Sequence, residues 1–234
     1  MTKAIIASTS TLHGGAYLDY LFPVLASHFA GCKSILFIPF ARPSGISHEA
    51  YTSKVSTAFE KLNITVSGVH EYENPTDAIQ NSQAIFVGGG NTFLLVSKLY
   101  ENKIMTVLSE VIKSGKPYLG CSAGSNITGI SMQTTNDMPI VYPPSFATLG
   151  IIPFNLNPHY LDPEPTSKHM GETRETRIKE FHAFNETAVL GLREGSWLEV
   201  LGSSIILRGT LTARLFQKDQ MPIEIPDGTA LDSL

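Results

Sequence analysis

The sequence predicts an α/β protein: a doubly wound, mostly parallel sheet with helices on both faces and an antiparallel extension at the C-terminal end. Three observations predict it. Short β-rich runs alternate with longer runs of helical periodicity through the first half of the chain, as crossover connections require. Those β runs are nearly continuous in apolar residues, the mark of strands buried on both faces. The second half changes character, with β runs separated by turns rather than helices. A chain of 234 residues with 42% hydrophobic content can bury one sizeable core and reads as a single domain over residues 1–234.

Taken in order, KAIIAS (Lys3 to Ser8) is the first strand, SILFIPF (Ser34 to Phe40) the second and ITVSGVH (Ile64 to His70) the third. QAIFVGGG (Gln83 to Gly90) is a fourth that ends in glycines, and KPYLGC (Lys116 to Cys121) a fifth. Helical patterns fill Tyr17 to Phe29, His48 to Leu62, Thr92 to Tyr100 and Ile104 to Lys113. PSFATLGIIPFNLNPHY is rich in turn formers and reads as loops near a site. Gly171 to Phe184 reads as a helix with Thr173 as N-cap, and the run from Thr187 to Phe216 as antiparallel strands. The tail after Lys218 carries Pro, Asp and Gly and reads as poorly packed.

Composition excludes several function classes. The net charge is -4 and no segment concentrates Lys or Arg, which argues against a nucleic-acid partner. No apolar stretch approaches the roughly 18 residues of a membrane helix. The N-terminus lacks the basic region and cleavage site of a signal peptide. Two cysteines, Cys32 and Cys121, are too few for a disulfide framework or a zinc site, so a reducing cytoplasm is the expected location. The sequence leaves monomer and homodimer open.

The most informative stretch is YLGCSAGSN. The fifth strand runs straight into Gly120-Cys121-Ser122-Ala123-Gly124, and SNITGI beyond it can begin a helix. A G-x-S-x-G turn between strand and helix is a nucleophile elbow, whose glycines permit the sharp turn that exposes the serine oxygen at the C-terminal edge of the sheet. The blander reading is a Gly-Ser loop. The N–H of Ala123, at the helix start, can donate to a developing oxyanion. Gly88, Gly89 and Gly90 follow the neighbouring fourth strand and offer a second donor, Gly89 being the first choice; otherwise they are a tight turn before a helix capped by Asn91. Cys121 stands beside the centre of the elbow, where it is expected to point into the core as a small apolar residue.

A serine hydroxyl needs a base. Of seven histidines, His28, His48 and His182 sit in helical patterns and His70 ends a strand, so these four read as surface residues. His159 lies in NLNPHYLDP, where flanking prolines restrain the backbone. His169 in the polar TSKHMG is the rival base, and His13 completes the seven. The third member of a triad is a carboxylate that accepts from the imidazole. Asp137 in TTNDMPIV and Glu194 in GLREGSW both qualify; their ordinary roles are an Asx-turn and a hairpin charge.

At this point the ordered set IPF, VGGGNTF, G-x-S-A-G, TTNDMPIV, NPH, GETRE-RI and GL-EG-W resembles the peptidase E family, over roughly residues 1 to 216. These are serine peptidases on a glutamine-amidotransferase-like fold that hydrolyse dipeptides with an N-terminal aspartate (Asp-Xaa). The resemblance implies Ser122 as nucleophile, His159 as base, and Asp137 or Glu194 as the acid. Glu194 is favoured for its place at a strand end, which leaves Asp137 to the substrate pocket. It implies Arg174 as the recognition arginine, where the sequence alone reads a solvated helix residue paired with Glu172 or Glu175. The chain departs from the family in having Cys121 where relatives can have tryptophan, which bears on one pocket wall. The resemblance implies no cofactor or metal. A cyanophycinase-like exopeptidase would want a longer chain, and a silent binding protein on this scaffold would be expected to have lost Ser122, His159 or a carboxylate.

Overall fold

Seven strands form the main sheet, in the order β3 (Thr65–Gly68), β2 (Ser34–Ile38), β4 (Ile85–Val87), β5 (Tyr118–Cys121), β1 (Lys3–Ala7), β8 (Ser196–Leu201) and β9 (Ser204–Gly209). The first five run parallel, and β8 and β9 are antiparallel to their neighbours. A second sheet has the order β11 (Ile223–Ile225), β10 (Ala213–Phe216), β7 (Val189–Leu192) and β6 (Asn155–Pro158). The structure is a computed structural model that describes residues 1–164, 166, 168 and 170–234; the rival base His169 lies outside the described residues.

The inner parallel strands are buried and largely apolar because each face meets helices, whereas β3, at the sheet edge, is TVSG and mostly half-buried or exposed. On one face, Ile5, Phe37, Phe86 and Leu119 pack against α1 (Phe22–His28) and α2 (His48–Phe59). On the other, Ile6, Ile38 and Val87 pack against α3 (Pro75–Asn81), α4 (Thr92–Glu101), α5 (Met105–Lys113) and α6 (Ala123–Asn126). The seventh helix, α7 (Arg174–His182), starts at Thr173, whose side chain accepts from the Thr176 N–H, the cap its sequence predicts. No helix among the described residues is long and apolar enough to cross a membrane.

Four features differ from the sequence reading. NLNP is a strand, β6, not a loop. Its Asn155 and Asn157 are buried; Ser131 bonds both polar ends of the Asn155 side chain, and Asn157 Nδ2 donates to Thr134 O and Asn136 Oδ1. Pro158 is tolerated there because β6 is a sheet edge. Strand β7 pairs in parallel with β6, although its other partner, β10, is antiparallel. Helix α3 emerges where no helix was expected, with Asn74 as its cap and Pro75 at its first position. Finally, the tail after Lys218 is not poorly packed. It forms β11, then runs along β9, where the Leu207 N–H donates to Thr229 O and the Leu231 N–H to Ile205 O. Leu231 is buried by this return, which covers an edge that would otherwise expose unpaired amides.

Two histidines read as surface residues are buried as well. His182 lies 3.0 Å from the Thr187 carbonyl through Nε2. His28, at the end of α1, is 6% exposed, and its Nε2–H donates to the Tyr118 carbonyl at 3.1 Å. Burial pushes the His28 pKa down from 6.5 to about 4, with Lys3 adding to the shift. The folded ring therefore stays neutral while an unfolded one protonates. Stability from this group is complete above about pH 6.5 and is lost as pH falls toward 4, with a slope of up to about 1.4 kcal/mol per pH unit. Urea titrations at pH 7 and pH 5 are expected to show this loss, and His28→Gln to flatten it.

Candidate active site

Ser122 links β5 to α6 with φ 57° and ψ -112°, a conformation rare for a residue with a Cβ. The flanking glycines make it attainable. A Cβ on Gly124 would lie 2.2 Å from the Val87 carbonyl oxygen, and one on Gly120 2.5 Å from that of Gly124. The Ser122 N–H donates to Ala7 O at 3.2 Å, and its carbonyl accepts from Ser125 and Asn126, both at 2.9 Å. The backbone of the turn is thus fixed on both sides, while the serine side chain remains partly exposed. Cys121 points into the core, fully buried, and burial pushes its thiol pKa up, so it is an inert packing residue.

His159 follows β6 directly, and Glu194 comes two residues after the end of β7. Pro158 and Leu192 are register partners, so the parallel pairing of these strands brings both residues to one edge. His159 Nε2 lies 2.9 Å from Ser122 Oγ, and Nδ1 lies 2.7 Å from Glu194 Oε1. A carboxylate only accepts, so Nδ1 carries the proton and donates to Glu194. Nε2 is then the acceptor for the serine hydroxyl.

A residue the sequence reading passed over, Ser8, joins the two sheets at this point. It follows β1, whose Ala7 is the register partner of Cys121, so Ser8 emerges beside Ser122. Its fully buried hydroxyl donates to Leu192 O at 2.7 Å and accepts from the His159 N–H at 2.8 Å. His159 sits at φ 54°, and the Ser8 contact pins that backbone. The signal available was a polar residue directly after the first parallel strand, at the edge where such sheets place ligands.

Arg193, next to Glu194, is anchored on three sides. Its Nε and Nη2 donate to both oxygens of Asp162 at 2.8 Å each, Nη1 donates to Thr212 O at 2.9 Å, and Nη1 and Nη2 reach Glu224 at 2.8 and 3.1 Å. The Arg193 hydrogen bonds hold the Glu224 carboxyl well below its ordinary range, at about 2, and lower that of Asp162. Arg214 extends the network from Glu224 to Glu175, the neighbour of Arg174.

The glycines after β4 divide their amides. The Gly88 N–H donates to Ile38 O at 3.2 Å, and the Gly89 N–H to the Tyr51 hydroxyl at 3.2 Å. This corrects the expectation for these two, because both donors are already engaged. The Gly90 N–H has no acceptor among the described residues. The Ala123 N–H, first in α6, has none within its helix.

Asp137 makes no hydrogen bond to His159. Its Oδ2 accepts from the Thr92 N–H at 2.7 Å, Thr92 Oγ1 at 2.6 Å and Thr135 Oγ1 at 3.1 Å, which seats it on the N-terminus of α4. Asp137 also lines a cavity of about 640 Å³, together with Arg174, Asn157, Phe93, Phe146 and Phe181. Neither Ser122 nor His159 lines that cavity. The connection is Asn136, a lining residue whose Nδ2 donates to Pro158 O at 2.7 Å, one residue before His159. Arg174 is half-buried there and has no ion pair among the described residues: Glu172 pairs with Arg177, and Glu175 with Lys179 and Arg214. The same residues contain no group of three or more His, Cys, Asp or Glu placed to hold a metal ion.

Ser122, His159 and Glu194 form one hydrogen-bonded series, and similarity to known proteins gives the chain its family. The family model of peptidase family S51 matches residues 4–208. Peptidase E of Streptomyces coelicolor is 45% identical over 230 residues, covering 98% of this chain and 93% of its own. The probable alpha-aspartyl dipeptidase of Drosophila melanogaster is 46% identical over 218 residues, covering 92% of this chain and 90% of its own. The crystal structure of a peptidase from an acI-B1 Actinobacterium superposes with a TM-score of 0.71 at 17% identity, over 99% of this chain and 96% of that one, and so shares its fold. The chain is a peptidase and belongs to peptidase family S51.

Proposed function

We propose that the protein is a serine dipeptidase that hydrolyses dipeptides with an N-terminal aspartate. The observation that carries this is the hydrogen-bonded series Ser122–His159–Glu194 beside a cavity with an uncommitted arginine. Ser122 Oγ attacks the aspartyl carbonyl carbon as His159 Nε2 takes its proton, and Glu194 stabilises the imidazolium. The N–H groups of Ala123 and Gly90 receive the oxyanion. His159 then gives its proton to the leaving amine, and water attacks the acyl-enzyme with His159 as base. Arg174 binds the substrate β-carboxylate through two parallel hydrogen bonds. Asp137 fixes the start of α4 and one wall of the pocket. The two free thiols support a reducing, cytoplasmic setting.

The test is hydrolysis of Asp-Leu against Asn-Leu and Leu-Leu, followed by release of free leucine. Strong preference for Asp-Leu is expected, and equal rates on all three would overturn the specificity. Glu194→Gln is expected to lower kcat by up to about 10⁴-fold, since an amide can present its N–H and favour the wrong tautomer. Asp137→Asn, tested alongside, is expected to leave the pH profile of kcat unchanged. A larger kcat loss in Asp137→Asn than in Glu194→Gln would exchange their roles.

A further inference from the structure

We propose that Tyr51 is a positioning residue for the oxyanion site at Ser122, an inference that rests on the serine-peptidase reading above. Tyr51 lies on α2, well outside the catalytic series, and is 2% exposed. Its hydroxyl accepts from the Gly89 N–H at 3.2 Å and donates to the Gly89 carbonyl at 3.4 Å. The ring cannot readily move. Phe37 meets it edge-on at 4.9 Å between centroids, and the Arg42 guanidinium lies 5.1 Å over its face. Gly88 is pressed so closely on the hydroxyl that a Cβ there would lie 2.7 Å from it.

The consequence for the loop follows from peptide geometry. In a trans peptide the carbonyl of one residue and the N–H of the next point in opposite directions. With the Gly89 carbonyl held toward Tyr51, the Gly90 N–H is directed away from Tyr51, and it has no acceptor among the described residues. Gly89 itself abuts the nucleophile: a Cβ there would lie 2.9 Å from Ser122 Cβ and 3.4 Å from Oγ. The Gly90 amide is therefore the loop donor left for the oxyanion, and the Tyr51 hydroxyl sets its direction. Without that hydroxyl, the Gly89 N–H and carbonyl lose the group that sets the orientation of the Gly89–Gly90 peptide. The donor must then be reorganised during the reaction instead of beforehand.

The experiment compares the second-order rate of Ser122 labelling by a simple fluorophosphonate in wild type, Tyr51→Phe and Val55→Ala. This probe requires the oxyanion donors but no aspartyl side chain. Tyr51→Phe keeps the ring and is expected to slow labelling about tenfold. Its kcat on Asp-Leu should fall by the same factor with KM unchanged. Val55 is fully buried one turn further along α2, and Val55→Ala is expected to lower the thermal midpoint while labelling at the wild-type rate. Wild-type labelling in Tyr51→Phe, or equal slowing in Val55→Ala, would overturn the inference. Wild-type protein that labels but does not cut Asp-Leu would remove the substrate assignment and leave Tyr51 to be judged by labelling. Wild-type protein that does not label would remove both.

Discussion

Ser122→Ala is expected to lower kcat by about 10⁶-fold on Asp-Leu, and His159→Ala by a similar factor. The double variant should lose little more than either single one. The two groups act on one proton, and once the hydroxyl is gone the imidazole has nothing to activate. The alanine at position 122 inherits the same φ of 57°, so the turn stays as uncommon as before and the fold should be unaffected. Circular dichroism and the thermal midpoint check this, and leucine release with single-turnover sensitivity measures the residual rate. Independent, multiplying losses in the double variant would mean that Ser122 and His159 do not work as a unit.

Arg174→Met is expected to erase discrimination between aspartate and asparagine. A site built to bind a charged group rejects its absence by about 10⁴–10⁵-fold, because the group that binds it is then left unpaired out of water. Methionine removes the unpaired charge along with the attraction. The kcat/KM for Asp-Leu should fall by orders of magnitude, that for Asn-Leu should change little, and their ratio should approach one. Stability should scarcely change, since Arg174 forms no ion pair among the described residues. A ratio that stays high in Arg174→Met would place recognition elsewhere, with Arg177 the next cationic residue lining the cavity.

The parallel core was legible because strands covered on both faces must be nearly continuous in apolar residues, and β1, β2, β4 and β5 are, past the polar first residues Lys3 and Ser34. The elbow was legible for a related reason: the approach of the Gly124 backbone to Val87 leaves no room for any side chain. What escaped was structure held by long-range polar contacts. NLNP looks like a turn until Ser131, Thr134 and Asn136, more than twenty residues earlier in the chain, arrive to bond its asparagines. Ser8 escaped because its two partners lie 151 and 184 residues away in the chain. His28 and His182 were misread because a ring on a helix can turn inward when a backbone carbonyl waits there. Helix α3 is a different case, since the cap and proline of NPTD are signals carried by the sequence itself. Sequence also could not separate Asp137 from Glu194, as both end in a carboxylate near a turn and only the β6–β7 register distinguishes them.

On the proposed mechanism, the clamp on Arg193 would give the residues beyond Lys218 a stake in turnover. Glu224 belongs to β11, yet it grips the side chain adjoining the carboxylate that bonds His159. Trimming the polypeptide after Lys218 would release that grip, and its effect would be felt at the reacting bond, at the far end of a relay of charges, as well as in the loosened edge of β9.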